Sequence, residues 1–172
     1  MKTLSETKAL ERLRTVQVEF ADQIREGYEH RAKDCLKCDT PGACCLDSHF
    51  VNVRITRLEA VAIGKVIDEL SSKERAEVVH RIEGVIKTYK LPENDFYACP
   101  LFAKGVGCLV HDRAKPLPCI AHACYERKED LPSDDLLTDH EGLVAGLNER
   151  TYRTPVTLSS LPVALLNSMN KS

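Results

Sequence analysis

The chain has 172 residues, with 24 lysine and arginine residues against 26 aspartate and glutamate residues, and its formal net charge is −2. A hydrophobic content of 43% and a charged fraction of 29% are typical of a globular protein and exclude a disordered one. The balanced charge excludes nucleic-acid binding driven by overall electrostatics, and without tryptophan few side chains are available for base stacking.

The start of the chain predicts a cytoplasmic protein. The first fourteen residues, MKTLSETKALERLR, lack the apolar core of a signal peptide. The longest uncharged run, 154–170, contains two prolines and several hydroxyl side chains, so it is a poor membrane span. We therefore expect neither a membrane nor a nucleic-acid partner, and the sequence identifies no protein partner.

The predicted elements begin with a helix over 4–33, which makes 1–34 a first segment of the chain. Apolar residues recur along it near a 3.6-residue spacing: Leu10, Leu13, Val16, Phe20 and Ile24. Pro41 and Gly42 then mark a loop, and the alternation in FVNVRI (50–55) indicates one short strand.

Two further helices are predicted over 57–70 and 72–90. Each is preceded by a capping box, Thr56 with Glu59 and Ser71 with Glu74. Two helices with so short a connection form an αα-hairpin, which we expect at the centre of a domain over 35–128.

Regular structure is weak over 91–132, which holds five of the eight prolines. A C-terminal helical appendage follows over 129–172, with a helix near 133–150 and a turn or helix near 161–169. The predicted fold class is therefore mostly α: a small helical domain whose long irregular loops carry cysteines that converge on a metal site.

Eight cysteines form two clusters, separated by 53 residues without cysteine. The first cluster reads C-x2-C-x5-C-C and the second reads C-x8-C-x10-C-x4-C. A C-x2-C turn lets two sulfurs reach one ion, and soft thiolates favour zinc or iron–sulfur clusters over magnesium or calcium. The candidate metal ligands are Cys35, Cys38, Cys44, Cys45, Cys99, Cys108, Cys119 and Cys124.

Cys44 and Cys45 are neighbours, and in extended chain their side chains would point to opposite faces. They would then serve two metal centres, bridge a multinuclear centre, or leave one thiol without a metal. The segment 99–128 carries five basic residues against two acidic ones, an excess expected to lower the pKa of nearby thiols. His49, His111 and His122 lie beside the clusters as possible ligands or hydrogen-bond donors, whereas His30, His80 and His140 have the pattern of helix-surface residues.

Other chemistries fit parts of the pattern. Disulfides suit a secreted protein, but the cytosol keeps thiols reduced. A catalytic thiol, Cys44 or Cys45 with His49 as its base, lacks a recognisable nucleophile motif. A pair of acidic clusters, Asp134–Asp135 and Asp139–Glu141, is better explained as the solvated start of a helix.

The cysteine pattern resembles a bacterial family, the cysteine-cluster proteins described as zinc- or iron-chelating domains. The resemblance rests on CLKCDTPGACC, CPLF at 99–102, GVGCLVHDRAKPLPC and CIAHAC, and it covers about residues 35–124. It implies a metal-chelating protein with the eight cysteines as ligands. A similar cluster in flagellin lysine methylases is thought to hold an iron–sulfur centre.

Together these features predict a protein that chelates an iron–sulfur cluster or zinc, in a structural or redox role. The Cys44–Cys45 pair and the resemblance favour iron–sulfur. One alternative is a metal-delivery or redox-sensing protein with exposed thiols. Another is a metalloenzyme with an open coordination position near His49 or His122.

Overall fold

The structure, a computed structural model, describes residues 2–34, 42–46, 52–93 and 96–170. Over these ranges it is mostly helical, which confirms the prediction of a mostly α fold. The helices are α1 (Glu6–Gly27), α2 (Ala43–Leu46), α3 (Arg57–Asp68), α4 (Ser72–Tyr89), α5 (Leu117–Ala121), α6 (Asp134–Tyr152) and α7 (Leu161–Met169). The strands are β1 (Ala32–Lys33), β2 (Arg54–Ile55), β3 (Phe102–Ala103), β4 (Gly107–Cys108), β5 (Cys124–Tyr125) and β6 (Ser159–Ser160).

Contacts divide the chain into two units, and each unit is built from two separate stretches. The first unit comprises 1–41 and 115–156, and the second comprises 42–114 and 157–172. The sequence predicts a different division, into consecutive segments 1–34, 35–128 and 129–172. The contacts cross those segments because α1 packs on α5 and α6, while α7 packs on α3 and α4.

In the first unit, Ser5 caps the start of α1: its side-chain oxygen accepts a hydrogen bond from the backbone N–H of Lys8. Its buried face includes Leu13, Phe20 and Ile24, as the periodicity predicts. The helix ends at Gly27, earlier than the predicted 33, because the chain then makes a 3-10 turn and enters β1. β1 pairs antiparallel with β5, so the end of the α1 segment lies beside the end of the second cysteine cluster.

In the second unit, both predicted capping boxes are present and begin α3 and α4. The two helices pack mainly on α7 and less on each other. The sequence predicts α7 as part of a C-terminal appendage, whereas in the structure it packs against both helices of the predicted hairpin. α7 belongs in this core because it carries almost no polar face, and Leu161 and Leu165 are fully buried. Ile63 and Ile67 of α3 are also buried, whereas Val61 and Ala62 are half-buried.

Only the end of the predicted strand FVNVRI is a strand among the described residues. It is β2, which pairs antiparallel with β6 directly before α7. Residues 50 and 51 of the prediction lie outside the described residues. In the described part of the chain, no helix combines the length and the apolar character that crossing a membrane requires.

Candidate functional site

The six described cysteines are distributed over both units, and the distribution cuts across the two sequence clusters. Cys44 and Cys45 of the first cluster share the second unit with Cys99 and Cys108 of the second cluster. The first unit holds Cys119 and Cys124. Cys35, Cys38 and His49 lie outside the described residues.

A direct backbone contact joins the two clusters in the second unit. The N–H of Cys99 donates a hydrogen bond to the carbonyl of Cys45 over 2.8 Å. The Cys45 N–H in turn donates to the carbonyl of Gly42 over 2.8 Å, which closes the turn that begins α2. Two segments separated by 53 residues of sequence are therefore adjacent at their cysteines.

Cys108 reaches the same region through a hairpin. β3 and β4 pair antiparallel with Phe102 opposite Cys108. The N–H of Phe102 donates to the carbonyl of Cys99 over 3.3 Å, a turn that holds Cys99 next to the hairpin. The Cys99 and Cys108 thiols are close enough for a negative charge on Cys108 to raise the pKa of Cys99.

Phe102 also contacts the segment that carries Cys44 and Cys45. Gly42 has φ +80°, and a Cβ added there would lie 2.0 Å from Cζ of the Phe102 ring. The ring therefore occupies the space that any other residue at position 42 would need. On the other side, a guanidinium N–H of Arg81 in α4 donates to the Phe102 carbonyl over 3.2 Å, which ties the hairpin to a long helix.

In the first unit, the β1–β5 pairing places Cys124 opposite Lys33. Cys35, which lies outside the described residues, follows Lys33 by two residues in the sequence. Cys119 lies in α5, where its N–H donates to the carbonyl of Pro116 over 3.0 Å. The side-chain amide of the buried Gln17 in α1 donates to the Lys115 carbonyl over 3.1 Å, which anchors the chain that enters α5.

The backbone at Cys44 and Cys45 is helical, not extended. Both residues lie in α2, and neighbours on a helix are about 100° apart around its axis. The extended-chain geometry that would point their side chains to opposite faces therefore does not apply here. Neighbouring positions on one helical turn do not by themselves require two separate metal centres.

Burial determines the protonation of Cys99. Partial removal from solvent raises the pKa of this thiol to about 11. Hydrogen bonds from the backbone N–H groups of Leu101 and Phe102 lower the pKa, but by less. The predicted lowering by local basic residues is therefore wrong for Cys99. Two of those basic residues are paired with acidic residues: Arg113 with the exposed Glu69, and Arg127 with the buried Asp130 over 2.8 Å.

The histidines differ from one another in their surroundings. His111 and His122, the two described candidates, are both exposed, and the His111 ring lies 4.0 Å from the Asp112 carboxylate. His140 is buried, contrary to the surface position that the sequence suggests. Its ring packs at 4.6 Å from the Phe20 ring, and its Nδ1 lies 2.8 Å from the carbonyl of Leu136. It is a core residue of the first unit.

Backbone contacts bring cysteine-bearing segments together, but the side chains that the structure describes do not form a finished site. Among the described residues, no three side chains of His, Cys, Asp or Glu form a group that could hold a metal ion. No disulfide joins any two of the six described cysteines. Comparison with protein-family models, curated proteins and solved structures finds no match to this chain.

Sequence reasoning missed the residues that hold these segments in place: Gln17, Gly42, Arg81 and Phe102. Gly42 is visible in the sequence only as part of a loop signal, and Phe102 only as part of the CPLF motif. Arg81 and Gln17 carry no local signal, because their partners are the carbonyls of residues 21 and 98 positions away.

Proposed function

We propose that the protein binds a metal through cysteine thiolates, as an iron–sulfur cluster or as zinc, in a structural or redox role. The carrying observation is the hydrogen bond from Cys99 to Cys45, which joins the two cysteine clusters. The β1–β5 pairing supports the proposal independently, since it brings Cys124 beside the chain that leads to Cys35. The ligands would come from the set Cys35, Cys38, Cys44, Cys45, Cys99, Cys108, Cys119 and Cys124.

The donor set fits a soft, positively charged group. A thiolate at the half-buried Cys99 would be a negative charge partly removed from solvent, which is costly unless a cation lies beside it. A bound metal supplies that cation and displaces the proton of the thiol. An iron–sulfur cluster would supply electron transfer or redox sensing, whereas zinc with four thiolates would be closed and structural.

The resemblance to the bacterial zinc- or iron-chelating family belongs to the same proposal. We likewise infer a cytoplasmic location, because thiolate sites persist where the compartment is reducing. The enzyme alternative gains no support from the described histidines, since His111 and His122 are both exposed on the surface of their units.

Anaerobic purification followed by metal analysis and a visible spectrum tests the proposal. A brown protein with thiolate-to-iron absorbance and stoichiometric iron supports the cluster, and a colourless protein with stoichiometric zinc supports the zinc site. His111→Ala and His122→Ala are matched controls, which should keep their metal if the ligands are thiolates. A wild-type protein with neither metal, which also takes up neither after anaerobic reconstitution, overturns the proposal.

A further inference from the structure

In the second unit, Gly42 and Phe102 contact each other, and neither residue belongs to the hydrophobic core of that unit. Phe102 is half-buried, and its ring edge lies where the Cβ of any other residue at position 42 would be. Gly42 stands two residues before Cys44, and Phe102 stands three residues after Cys99 and opposite Cys108. The contact therefore lies between the cysteine segments of the two clusters.

We propose that the Phe102 ring, seated on Gly42, holds Cys45 beside Cys99 and Cys108, so that these three thiols serve one metal centre. The inference rests on the proposed function and assigns the members of one centre within it. Gly42 and Phe102 are positioning residues, since they bring no ligand themselves.

Three described contacts converge on this arrangement. The Cys99 N–H bonds the Cys45 carbonyl, which sets the two backbones in contact. The β3–β4 pairing sets Cys108 opposite Phe102. The Arg81 guanidinium holds the Phe102 carbonyl, so the ring that presses on Gly42 is attached to α4.

The thiols still have to turn toward a metal, since the described side chains form no ready group of three. Each cysteine has three staggered side-chain rotamers, so its sulfur can change position without a change in the backbone. Metal binding and final ordering of such sites are commonly coupled. The backbone contacts determine which cysteines can take part, and the metal completes the geometry.

Titration of metal-free protein with Co²⁺ under anaerobic conditions tests the role of the Gly42–Phe102 contact, with the thiolate-to-cobalt absorbance as the readout. Gly42→Ala combines a positive φ with a collision against the ring, and we expect it to weaken Co²⁺ binding by about tenfold or more. Gly105→Ala is the matched control, because its φ is +79° and nothing lies within 4 Å of the added Cβ. It should bind within about twofold of wild type.

Phe102→Leu keeps Gly42 and removes the ring edge, so it tests the same contact if Gly42→Ala does not fold. We expect Co²⁺ binding several-fold weaker than in wild type. The collision should disappear in protein that already carries Phe102→Ala, because the ring atoms are gone. In that protein, Gly42→Ala and Gly105→Ala should lower the affinity for Co²⁺ by similar amounts. If Gly42→Ala and Phe102→Leu both bind Co²⁺ with wild-type affinity, the positioning role of this contact is overturned.

Cys45→Ser, Cys99→Ser and Cys108→Ser test membership of one centre. Each should remove the same equivalent of thiolate-bound Co²⁺, and Cys45→Ser combined with Cys99→Ser should remove no more than either alone. A double variant that loses twice as many equivalents would overturn the shared centre. Both results differ from failure of the proposed function, in which wild-type protein gives no thiolate-to-cobalt absorbance at all.

Discussion

The half-buried thiol of Cys99 holds its proton more tightly than an exposed cysteine does. Burial raises its pKa from the ordinary 9.0 to about 11, and a shift of that size leaves about 100-fold less thiolate near neutral pH. We predict that, with chelator present, iodoacetamide modifies Cys99 at least about 100-fold more slowly than the same residue in urea-unfolded protein. Peptide mass spectrometry over a time course measures both rates, and equal rates would contradict the raised pKa of Cys99.

Asp130 is the second residue with a testable titration. Two hydrogen bonds from the Arg127 guanidinium, at 2.8 and 2.9 Å, lower the pKa of its carboxyl. A lowered pKa in the folded state stabilises the protein above the unfolded-state pKa, about 3.9, and the stabilisation is lost as pH falls through the folded-state value. We therefore predict that Asp130→Asn lowers Tm at pH 7, and that the difference from wild type narrows below about pH 4.

Melting curves of wild type and Asp130→Asn between pH 2.5 and 7 measure this difference. Asp139→Asn, an exposed change on α6, is the control and should leave Tm close to that of wild type across the range. A difference between wild type and Asp130→Asn that stays constant down to the lowest pH would contradict the ion-pair explanation.

At the scale of elements, α7 is central to the second unit. Leu165 is fully buried where α7 packs on α3 and α4. We predict that Leu165→Ala lowers the free energy of unfolding by about 2–5 kcal/mol, through lost burial and the cavity that remains. Leu158→Ala, at a leucine with 43% of its surface exposed, should cost less than about 1 kcal/mol. Urea denaturation measures both, and equal losses would contradict the core position of α7.

The sequence predicts helices where capping and periodicity coincide. The starts of α3 and α4 follow from Thr56–Glu59 and Ser71–Glu74, because both signals lie within four residues. Strands of two residues are too short to show alternation, so β1, β3, β4 and β5 were not predictable. The packing of α7 on α3 and α4 was not predicted for a different reason. An apolar helix can pack on any exposed apolar face, and its own sequence does not indicate which one.

The candidate site was predictable in its residue types and not in its grouping. Clustered cysteines point to thiolate chemistry whatever the fold. Which cysteines share a unit depends on long-range contacts, such as Cys45 with Cys99, that have no sequence signal. The division at residues 41/42 and 114/115 separates cysteines that are close in sequence and joins cysteines that are distant.

At the scale of the whole molecule, a metal bound by both clusters would connect segments that local structure leaves irregular. Metal that binds the folded state and not the unfolded chain stabilises it by mass action. We predict that chelation under anaerobic conditions lowers Tm, and that adding the same metal back restores it. A metal-free protein as stable as the metal-bound one would contradict a structural role for the metal.

Metal ligation by these cysteines is tested most directly by the X-ray absorption spectrum of the metal that co-purifies with the protein under anaerobic conditions. Thiolate ligation predicts a first coordination shell of sulfur at about 2.3 Å. Replacement of Cys99 by serine should lower the amount of metal or the number of sulfur neighbours. A shell of nitrogen and oxygen alone, unchanged by Cys99→Ser, would contradict metal binding by these cysteines.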